Sequence, residues 1–114
     1  MAPIWCHNRS WRRQRPSHDL AAFQAAVATP ETLSITATAT ASAFALGFNR
    51  KAIVAALQRL TRKHFYKSMT SYANHRLWQD VYHLPHGEMV LYIKFTGEAV
   101  TGFTVLSFKE KGDG

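Results

Sequence analysis

A chain of 114 residues, 46% of them hydrophobic and 12% aromatic, has the length and composition of a single globular domain. Its 14 Lys and Arg against 7 Asp and Glu give a formal net charge of +7, which favours a polyanionic partner, nucleic acid ahead of an acidic protein or an anionic membrane. No apolar run is long enough for a membrane span or a signal peptide, and the single cysteine, Cys6, has no partner for an internal disulfide, so we expect a cytoplasmic protein.

The first fifteen residues carry arginines and tryptophans between two prolines and show neither a helical nor an alternating period. We interpret residues 1–15 as a flexible basic arm. This arm is either a passive extension or an RNA-contacting segment in which Trp stacks on bases and Arg binds phosphate. Residues 16–111 then form the single domain, and residues 112–114 form a short tail.

Helical patterns occupy the first half of the domain. Ser17 is predicted to cap a helix over residues 18–28, and Pro30 would stop that helix. Residues 33–36 alternate briefly and predict a short strand, which leads into a Thr- and Ala-rich run over residues 36–43.

Two further helices are expected after that run. The first ends at Gly47, because glycine readily adopts the left-handed conformation that follows a helix. Asn49 then caps the second helix. Its apolar residues recur on one face and predict packing against a core: Ile53, Val54, Leu57 and Leu60.

Residues 77–83 and 89–96 alternate with the period of two that is typical of strands, and a turn is predicted between them over residues 84–87. In the first strand, Gln79 and His83 share a face. In the second strand one face is apolar and predicted to be buried. The opposite face carries Val90, Tyr92, Lys94 and Thr96.

A loop over residues 97–102 precedes a last strand over residues 103–109, and the resulting hairpin is expected to set Tyr92 opposite Ser107, near Lys109. Helices followed by a meander of strands predict an α+β fold, with N-terminal helices packed on a mainly antiparallel, twisted β-sheet. The face of the sheet that the helices leave uncovered is where a substrate could lie.

The reactive side chains argue against several enzyme classes. There is no Gly-rich phosphate loop and no Cys/His metal set, and the seven carboxylates are scattered, which argues against two-metal hydrolysis. A Ser-His-Asp triad could be assembled from Ser68, His75 and Asp80, but Ser68 is not accompanied by the glycines of a nucleophile elbow, which argues against a serine hydrolase. Cleavage of RNA needs less, because the 2′-hydroxyl is an internal nucleophile and the enzyme only moves protons and stabilises negative charge. Lysines, tyrosines and an amide suit a metal-independent ribonuclease and a non-catalytic RNA-binding surface equally well.

One stretch combines aromatic rings, cations and hydroxyls more densely than any other, residues 65–82, with the sequence FYKSMTSYANHRLWQDVY. Together with the later Leu-Tyr-Ile-Lys and the terminal Leu-Ser-Phe-Lys-Glu-Lys, it resembles the MqsR family of mRNA interferase toxins, which have a RelE-like fold. The resemblance runs from about His64 to Lys111. Over residues 16–60 it extends only to the order of the elements.

The resemblance implies which residues cleave RNA, because the family's implicated positions fall on Lys67, Gln79, Tyr92 and Lys109. No metal or other cofactor is implied. Lys67 or Lys109 would stabilise the extra negative charge of the phosphorane. Tyr92 would be a proton shuttle near the 2′-hydroxyl or the leaving 5′-oxygen, and Gln79 would orient the phosphate or a base.

Further RNA contacts are expected from Lys94, on the face of Tyr92, and from Arg76, His75 and Lys111. His75 is also a rival for the general base, since an unperturbed imidazole titrates near pH ~6.5. The other histidines of the domain have weaker cases: His18, His64, His83 and His86.

The family also implies a function and partners. The protein would be the toxin of a toxin-antitoxin pair that cuts single-stranded mRNA at short specific sites, leaving 2′,3′-cyclic phosphate and 5′-hydroxyl ends and inhibiting translation and growth. An antitoxin with a zinc-binding domain and a helix-turn-helix domain would neutralise it, and operator DNA would be bound only through that complex. The alternative is a non-catalytic basic RNA- or partner-binding module of the same fold.

Overall fold

A five-stranded antiparallel sheet organises the computed structural model, which describes residues 12–71 and 76–112. The helices are α1 (Leu20–Ala26), α2 (Ala37–Ala45) and α3 (Arg50–Gln58), followed by a 3-10 turn at Arg62–His64. The strands are β1 (Arg12–Arg13), β2 (Phe65–Met69), β3 (Gln79–His86), β4 (Met89–Glu98) and β5 (Gly102–Glu110), and they lie in that order across the sheet. The predicted α+β class is confirmed.

Strand β4 has one buried face and one polar face. Leu91, Ile93 and Phe95 are fully buried in a core that the helices complete. Phe23 of α1 stacks on Phe95, with ring centroids 3.7 Å apart, and so packs the first helix directly on the sheet. Because successive side chains of a strand point to opposite faces, Tyr92 lies on the other side of the sheet, as predicted.

The Thr- and Ala-rich run is helical. Thr36 accepts a hydrogen bond from the Ala39 N–H at 3.1 Å and thereby caps α2. The strand predicted over residues 33–36 is therefore wrong, and what remains of it is a single parallel bridge from Ile35 to Val105 of β5. Threonine has a strand preference, but here its hydroxyl is used as a helix cap.

At the other helix ends, local sequence signals predicted two boundaries correctly and one incorrectly. Gly47 follows α2 with a φ of 90°, and the Asn49 side chain caps α3, both as predicted. α1 is shorter than predicted, because Asp19 and not Ser17 supplies the cap, through a hydrogen bond of 3.3 Å from the N–H of Ala21. None of the helices in the described ranges is long and apolar enough to cross a membrane.

The hairpin between β3 and β4 turns later than predicted. β3 continues through Pro85 to His86, and Gly87, with a φ of 61°, begins a two-residue turn before Met89. The turn predicted over residues 84–87 is wrong. As a result, His83 lies directly opposite Tyr92.

The hairpin between β4 and β5 also has a different register. Tyr92 lies opposite Lys109, and Ser107 lies opposite Lys94, so the predicted pairing of Tyr92 with Ser107 is wrong. The ladder shifts at a bulge between Lys94 and Phe95. A bulge places two residues of one strand against one of its neighbour, which sequence alternation alone does not reveal.

The N-terminal segment joins the sheet from Arg12 onward. Arg12 and Arg13 pair with Met69 and Ser68 of β2, and the Arg13 guanidinium carbon lies 3.6 Å from the ring centroid of Trp78. Residues 1–11 of the predicted arm lie outside the described residues. The predicted boundaries of arm, domain and tail remain predictions.

A buried carboxylate holds the next part of this segment. Asp80 on β3 is fully buried, and its two oxygens accept hydrogen bonds from the Ser17 N–H at 3.0 and 3.1 Å. One of these oxygens also accepts from the His18 N–H at 2.9 Å. The Ser17 hydroxyl lies 2.6 Å from that of Ser68 on β2. Ser17, predicted as a helix cap, instead ties the segment before α1 to two central strands.

A second buried polar group on the same face of β3 has no such partner. Tyr82 is fully buried, and its hydroxyl makes no hydrogen bond within the described residues. Burial, with the Asp80 carboxylate as a second cause, raises the pKa of Tyr82 to about 12. An unsatisfied buried hydroxyl costs about 1–3 kcal/mol of folding free energy.

Substitutions at Asp80 and Tyr82 are expected to have different effects on the free energy of unfolding. Asp80→Ala leaves the N–H groups of Ser17 and His18 without their acceptor and should lower the free energy of unfolding by about 2 kcal/mol or more. Tyr82→Phe deletes only the unpartnered hydroxyl and should leave the free energy of unfolding unchanged or raise it by up to about 1 kcal/mol. Urea unfolding followed by circular dichroism measures both. Equal losses in the two variants would contradict the different bonding of Asp80 and Tyr82.

Candidate functional site

The sheet face opposite the helices contains a cavity of about 490 Å³. Strands β2, β3, β4 and β5 all contribute residues to it. The register sets Tyr92 of β4 opposite both His83 of β3 and Lys109 of β5. The residues that line it are Tyr66, Lys67, His83, Tyr92, Lys109, Lys111 and Gly112. Three lysines and three aromatic rings therefore meet in one concave surface.

A bulge in β2 brings two consecutive side chains to this cavity. Phe65 pairs with Tyr82 and its ring packs edge-on against that of Tyr82 at the core, with centroids 5.6 Å apart. Lys67 pairs with Val81, and both lie on the cavity face of the sheet, opposite to the core face that holds Phe65 and Tyr82. The register of β2 against β3 shifts between Phe65 and Lys67. Bulges re-aim side chains in this way. Both Tyr66 and Lys67 consequently line the cavity.

Three rings form a row across β2, β3 and β4. Tyr66 stacks on His83 with centroids 4.3 Å apart and planes 23° apart, and His83 lies 5.9 Å from Tyr92 at a tilt of 40°. The ammonium groups of Lys67 and Lys109 each lie 5.4 Å from a ring centroid, over Tyr66 and Tyr92 respectively. Rings and cations side by side are the groups that bind nucleotide bases and phosphates.

The lysines produce a strongly positive local field. Lys94, between the cavity and the other end of β4, is half-buried, and burial lowers its pKa, with repulsion from Lys109 and Lys67 as further causes. Cations that are partly removed from water and close to one another are stabilised by an anion between them. This surface is therefore electrostatically suited to a phosphate.

Two groups in the cavity are shifted in opposite directions. Burial, and then the neighbouring Tyr66, raises the pKa of Tyr92. Burial, and then Lys111 and Lys67, lowers the pKa of His83. At neutral pH Tyr92 is thus a phenol that can donate a proton, and His83 is a neutral imidazole that can accept one.

The sequence-predicted residues are only partly brought together. Lys67, Tyr92 and Lys109, three of the four predicted catalytic residues, line the cavity, and so does Lys111. Gln79 lies at the other end of the same face, opposite Thr96 and Met69, and is 8% exposed. Four residues along an extended strand correspond to roughly 13 Å, which separates the backbone of Gln79 from that of His83.

The other predicted RNA contacts lie around this cavity or outside the described residues. Lys94 points to the cavity side of the sheet between Gln79 and Tyr92, as the alternation predicts. Arg76 is exposed in the turn before β3. His75 lies outside the described residues, so its roles as an RNA contact and as a candidate base stay predictions.

Two cavity residues were not singled out by sequence reasoning: Tyr66, and His83, which had only a weaker case as general base than His75. No site role is predicted for Tyr66, because nothing in the sequence marks the bulge that turns it outward. His83 shares a strand face with Gln79, but the register that places it against Tyr92 depends on a turn at Gly87. Within the described ranges, no group of three or more His, Cys, Asp or Glu side chains is arranged to hold a metal ion.

Comparison with known proteins relates the chain to a family and to a curated relative. The family model described as "Motility quorum-sensing regulator, toxin of MqsA" matches residues 15–110. Over 52 residues the chain is 42% identical to the mRNA interferase toxin MqsR of Escherichia coli (strain K12), a match that covers 46% of this chain and 51% of that relative. The match therefore spans about half the length of the relative. The family match includes the cavity residues as far as Lys109.

Proposed function

The chain belongs to the family of the motility quorum-sensing regulator, toxin of MqsA, and on that premise we propose that it is an mRNA interferase, a toxin that inhibits translation and growth by cutting mRNA at specific sequences. The relative from Escherichia coli carries that activity in its name. The observation that carries the proposal is the meeting of Lys67, Tyr92 and Lys109, from three different strands, in one cavity of the exposed sheet face. A single-stranded RNA is the substrate whose bases and phosphates match the rings and lysines there.

The proposed reaction is an internal transesterification. The 2′-oxygen of the RNA attacks the adjacent phosphorus, the bond from phosphorus to the 5′-oxygen breaks, and the products carry a 2′,3′-cyclic phosphate and a 5′-hydroxyl. The protein supplies charge stabilisation and proton transfer rather than a nucleophile. Lys67 and Lys109 lie on two sides of the cavity and are the groups that stabilise the extra negative charge on the phosphorane.

Tyr92 is the proton donor of this scheme. It sits centrally, with His83 opposite it on one side and Lys109 opposite it on the other. Because burial raises its pKa, its hydroxyl stays protonated at neutral pH and can give its proton to the leaving 5′-oxygen. This role selects the second of the two positions that the sequence left open for a proton shuttle.

Gln79 and Lys94 act on the same strand of RNA but farther from the reacting phosphorus. Lys94, half-buried on the cavity side of β4, contacts a neighbouring phosphate, as Lys111 does at the cavity rim. Gln79, nearly buried between Met69 and Thr96, presents an amide that orients a phosphate or a base. Arg76, exposed before β3, is a further contact to RNA.

The partners follow from the same family membership. The family description names the protein as a toxin of MqsA, so we infer a cognate antitoxin that neutralises this chain. The proposed antitoxin combines a zinc-binding domain with a helix-turn-helix domain, and operator DNA is bound only by the toxin-antitoxin complex. The proposed location is the cytoplasm, where mRNA is translated.

Cleavage should be independent of divalent metal. The lysines of the cavity supply the positive charge that a metal ion would otherwise provide, so the rate on a defined RNA should be the same in EDTA and in magnesium. Gel-resolved cleavage of an end-labelled oligonucleotide measures this. Loss of cleavage in EDTA that magnesium restores would reject this mechanism. RNA that is protected but intact in both buffers would identify a non-catalytic binding module.

Two substitutions should separate chemistry from binding. Tyr92→Phe keeps the ring and deletes the proton, so affinity for RNA should hold while the single-turnover rate falls by roughly 100-fold or more. Lys67→Ala should lower the rate and also weaken binding, with the slope of log affinity against log salt reduced by about 1, because a phosphate contact is lost.

Lys51→Ala is the matched control for charge, since Lys51 is exposed on α3, away from the cavity. It should leave the rate unchanged. Circular dichroism verifies that each variant is folded. Full activity in Tyr92→Phe would remove the hydroxyl from the mechanism.

A further inference from the structure

Cleavage by this route needs a group that accepts the proton of the 2′-hydroxyl, and most of the cavity residues cannot do so. The ammonium groups of Lys67, Lys109 and Lys111 have donors and no lone pair. Tyr92 is protonated at neutral pH, because burial raises its pKa, and a phenol in that state donates. The set of residues matched to the family's motifs therefore contains charge stabilisers and an acid but leaves the base unassigned.

His83 is the histidine that lines the cavity. It projects from β3 between Tyr66, which stacks on it at 4.3 Å, and Tyr92, whose ring centroid lies 5.9 Å away. Within the described residues its ring nitrogens make no hydrogen bond to another side chain or to the backbone. The stacking fixes the plane of the imidazole and leaves its nitrogens, at the ring edge, available to a ligand.

The other described histidines are engaged elsewhere. His18 Nε2 lies 2.8 Å from the Trp78 carbonyl oxygen, His64 Nδ1 accepts from the Thr61 N–H at 3.0 Å, and His86 contacts Arg59. Each of these contacts is explained by packing or capping, and none of these three side chains lines the cavity. His83 differs from them because it lines the cavity and because its ring nitrogens make no hydrogen bond within the described residues.

We propose that His83 is the general base of the reaction, which deepens the proposed function and rests on it. The neutral imidazole takes the 2′-hydroxyl proton as the 2′-oxygen bonds to phosphorus. Tyr92 gives its proton to the 5′-oxygen as the bond from phosphorus to that oxygen breaks. The imidazolium and the phenolate so formed return to their starting states by net transfer of one proton from His83 to Tyr92, directly or through water, so the cycle balances.

The surroundings of His83 keep it in the form that this role requires. It faces Tyr66 and Lys67 from β2, Tyr92 and Lys94 from β4, Lys109 from β5, and Lys111 just after β5. All the charges in that set are positive. Burial first, and then Lys111 and Lys67, lowers the pKa of His83 below its ordinary value. An acid whose pKa is raised and a base whose pKa is lowered, side by side, are the pattern of an acid–base pair.

The protonation of His83 predicts how the cleavage rate depends on pH. Because the folded pKa of His83 is lowered, the active neutral form predominates at neutral pH and is lost as pH falls through a value below 6.5. The logarithm of kcat/KM should therefore rise with pH and level off, with its midpoint below 6.5. A lysine or tyrosine base would instead give a rise that continues above neutral pH.

The test uses the full chain, an oligonucleotide with a single cleavable ribonucleotide, and EDTA. His83→Phe keeps a ring between Tyr66 and Tyr92 but removes the acceptor, so cleavage should fall by roughly 100-fold or more and the acidic rise should disappear, while RNA affinity holds. His83→Ala leaves a gap between the same two rings, and added imidazole should restore part of its rate with the same pH dependence.

His64→Gln is the matched control. His64 also has a pKa lowered by burial and lies outside the cavity, and glutamine preserves the capping pattern at that position. This variant should keep both the rate and the acidic rise. Circular dichroism and RNA affinity establish that each variant is folded.

Two results would overturn the assignment of His83 while leaving the ribonuclease intact. One is a His83→Phe variant with an unaltered rate and pH profile. The other, which needs no variant, is a wild-type profile whose midpoint does not lie below 6.5. A wild-type chain that binds RNA without cutting it would instead refute the proposed function itself, so the two failures are distinguishable.

Discussion

The alternation of β4 is the constraint on which the rest of the structure depends. Leu91, Ile93 and Phe95 must be buried together, since Phe95 lies under Phe23 of α1 and forms the centre of the aromatic core. A shift of one residue in register would bury Tyr92 and Lys94 and expose three large apolar side chains. Burial of the apolar side chains on one face of the sheet thereby places Tyr92 and Lys94 on the other face. Residues of β3 and β5 join the site because they pair with β4.

The cavity concentrates groups that folding alone would keep apart. Three lysines line it and Lys94 lies beside it, and repulsion from Lys109 and Lys67 contributes to the lowered pKa of Lys94. Like charges in a half-buried site reduce stability, so an anion bound between them relieves that repulsion as well as adding its own contacts. In the proposed reaction, a bound phosphate would be stabilised there, and the stabilisation would be largest when the extra negative charge develops.

Local signals predicted the elements whose ends are decided locally. Gly47 and Asn49 mark helix boundaries by their own conformational and capping properties, and the alternation in residues 89–96 revealed the two faces of β4. The family motifs then identified Lys67, Tyr92 and Lys109, which share the cavity. Ser17 was misassigned because its partner, Asp80, is distant in sequence, and no local pattern reports such a contact.

The same limit explains why the sequence ranked His83 below His75. Pro85 suggested a turn, and a hairpin centred on residues 84–87 would have set Tyr92 opposite Gln79. β2 pairs with β3 only as far as Tyr82, so at Pro85 the β2 side of β3 has no ladder to break, and proline is tolerated there. The strand therefore continues to His86, the turn falls at Gly87, and the partner of Tyr92 becomes His83.

The central claim is that this sheet face cuts RNA through the RNA's own 2′-hydroxyl. Its most direct test is mass spectrometry of the fragments from an RNA oligonucleotide incubated with the full chain in EDTA, beside a copy that carries a single 2′-deoxynucleotide at the cleaved position. The account predicts a 2′,3′-cyclic phosphate and a 5′-hydroxyl from the first, and a deoxy copy that is bound but left whole. A 5′-phosphate end, or cleavage of the deoxy copy at that position, would contradict it.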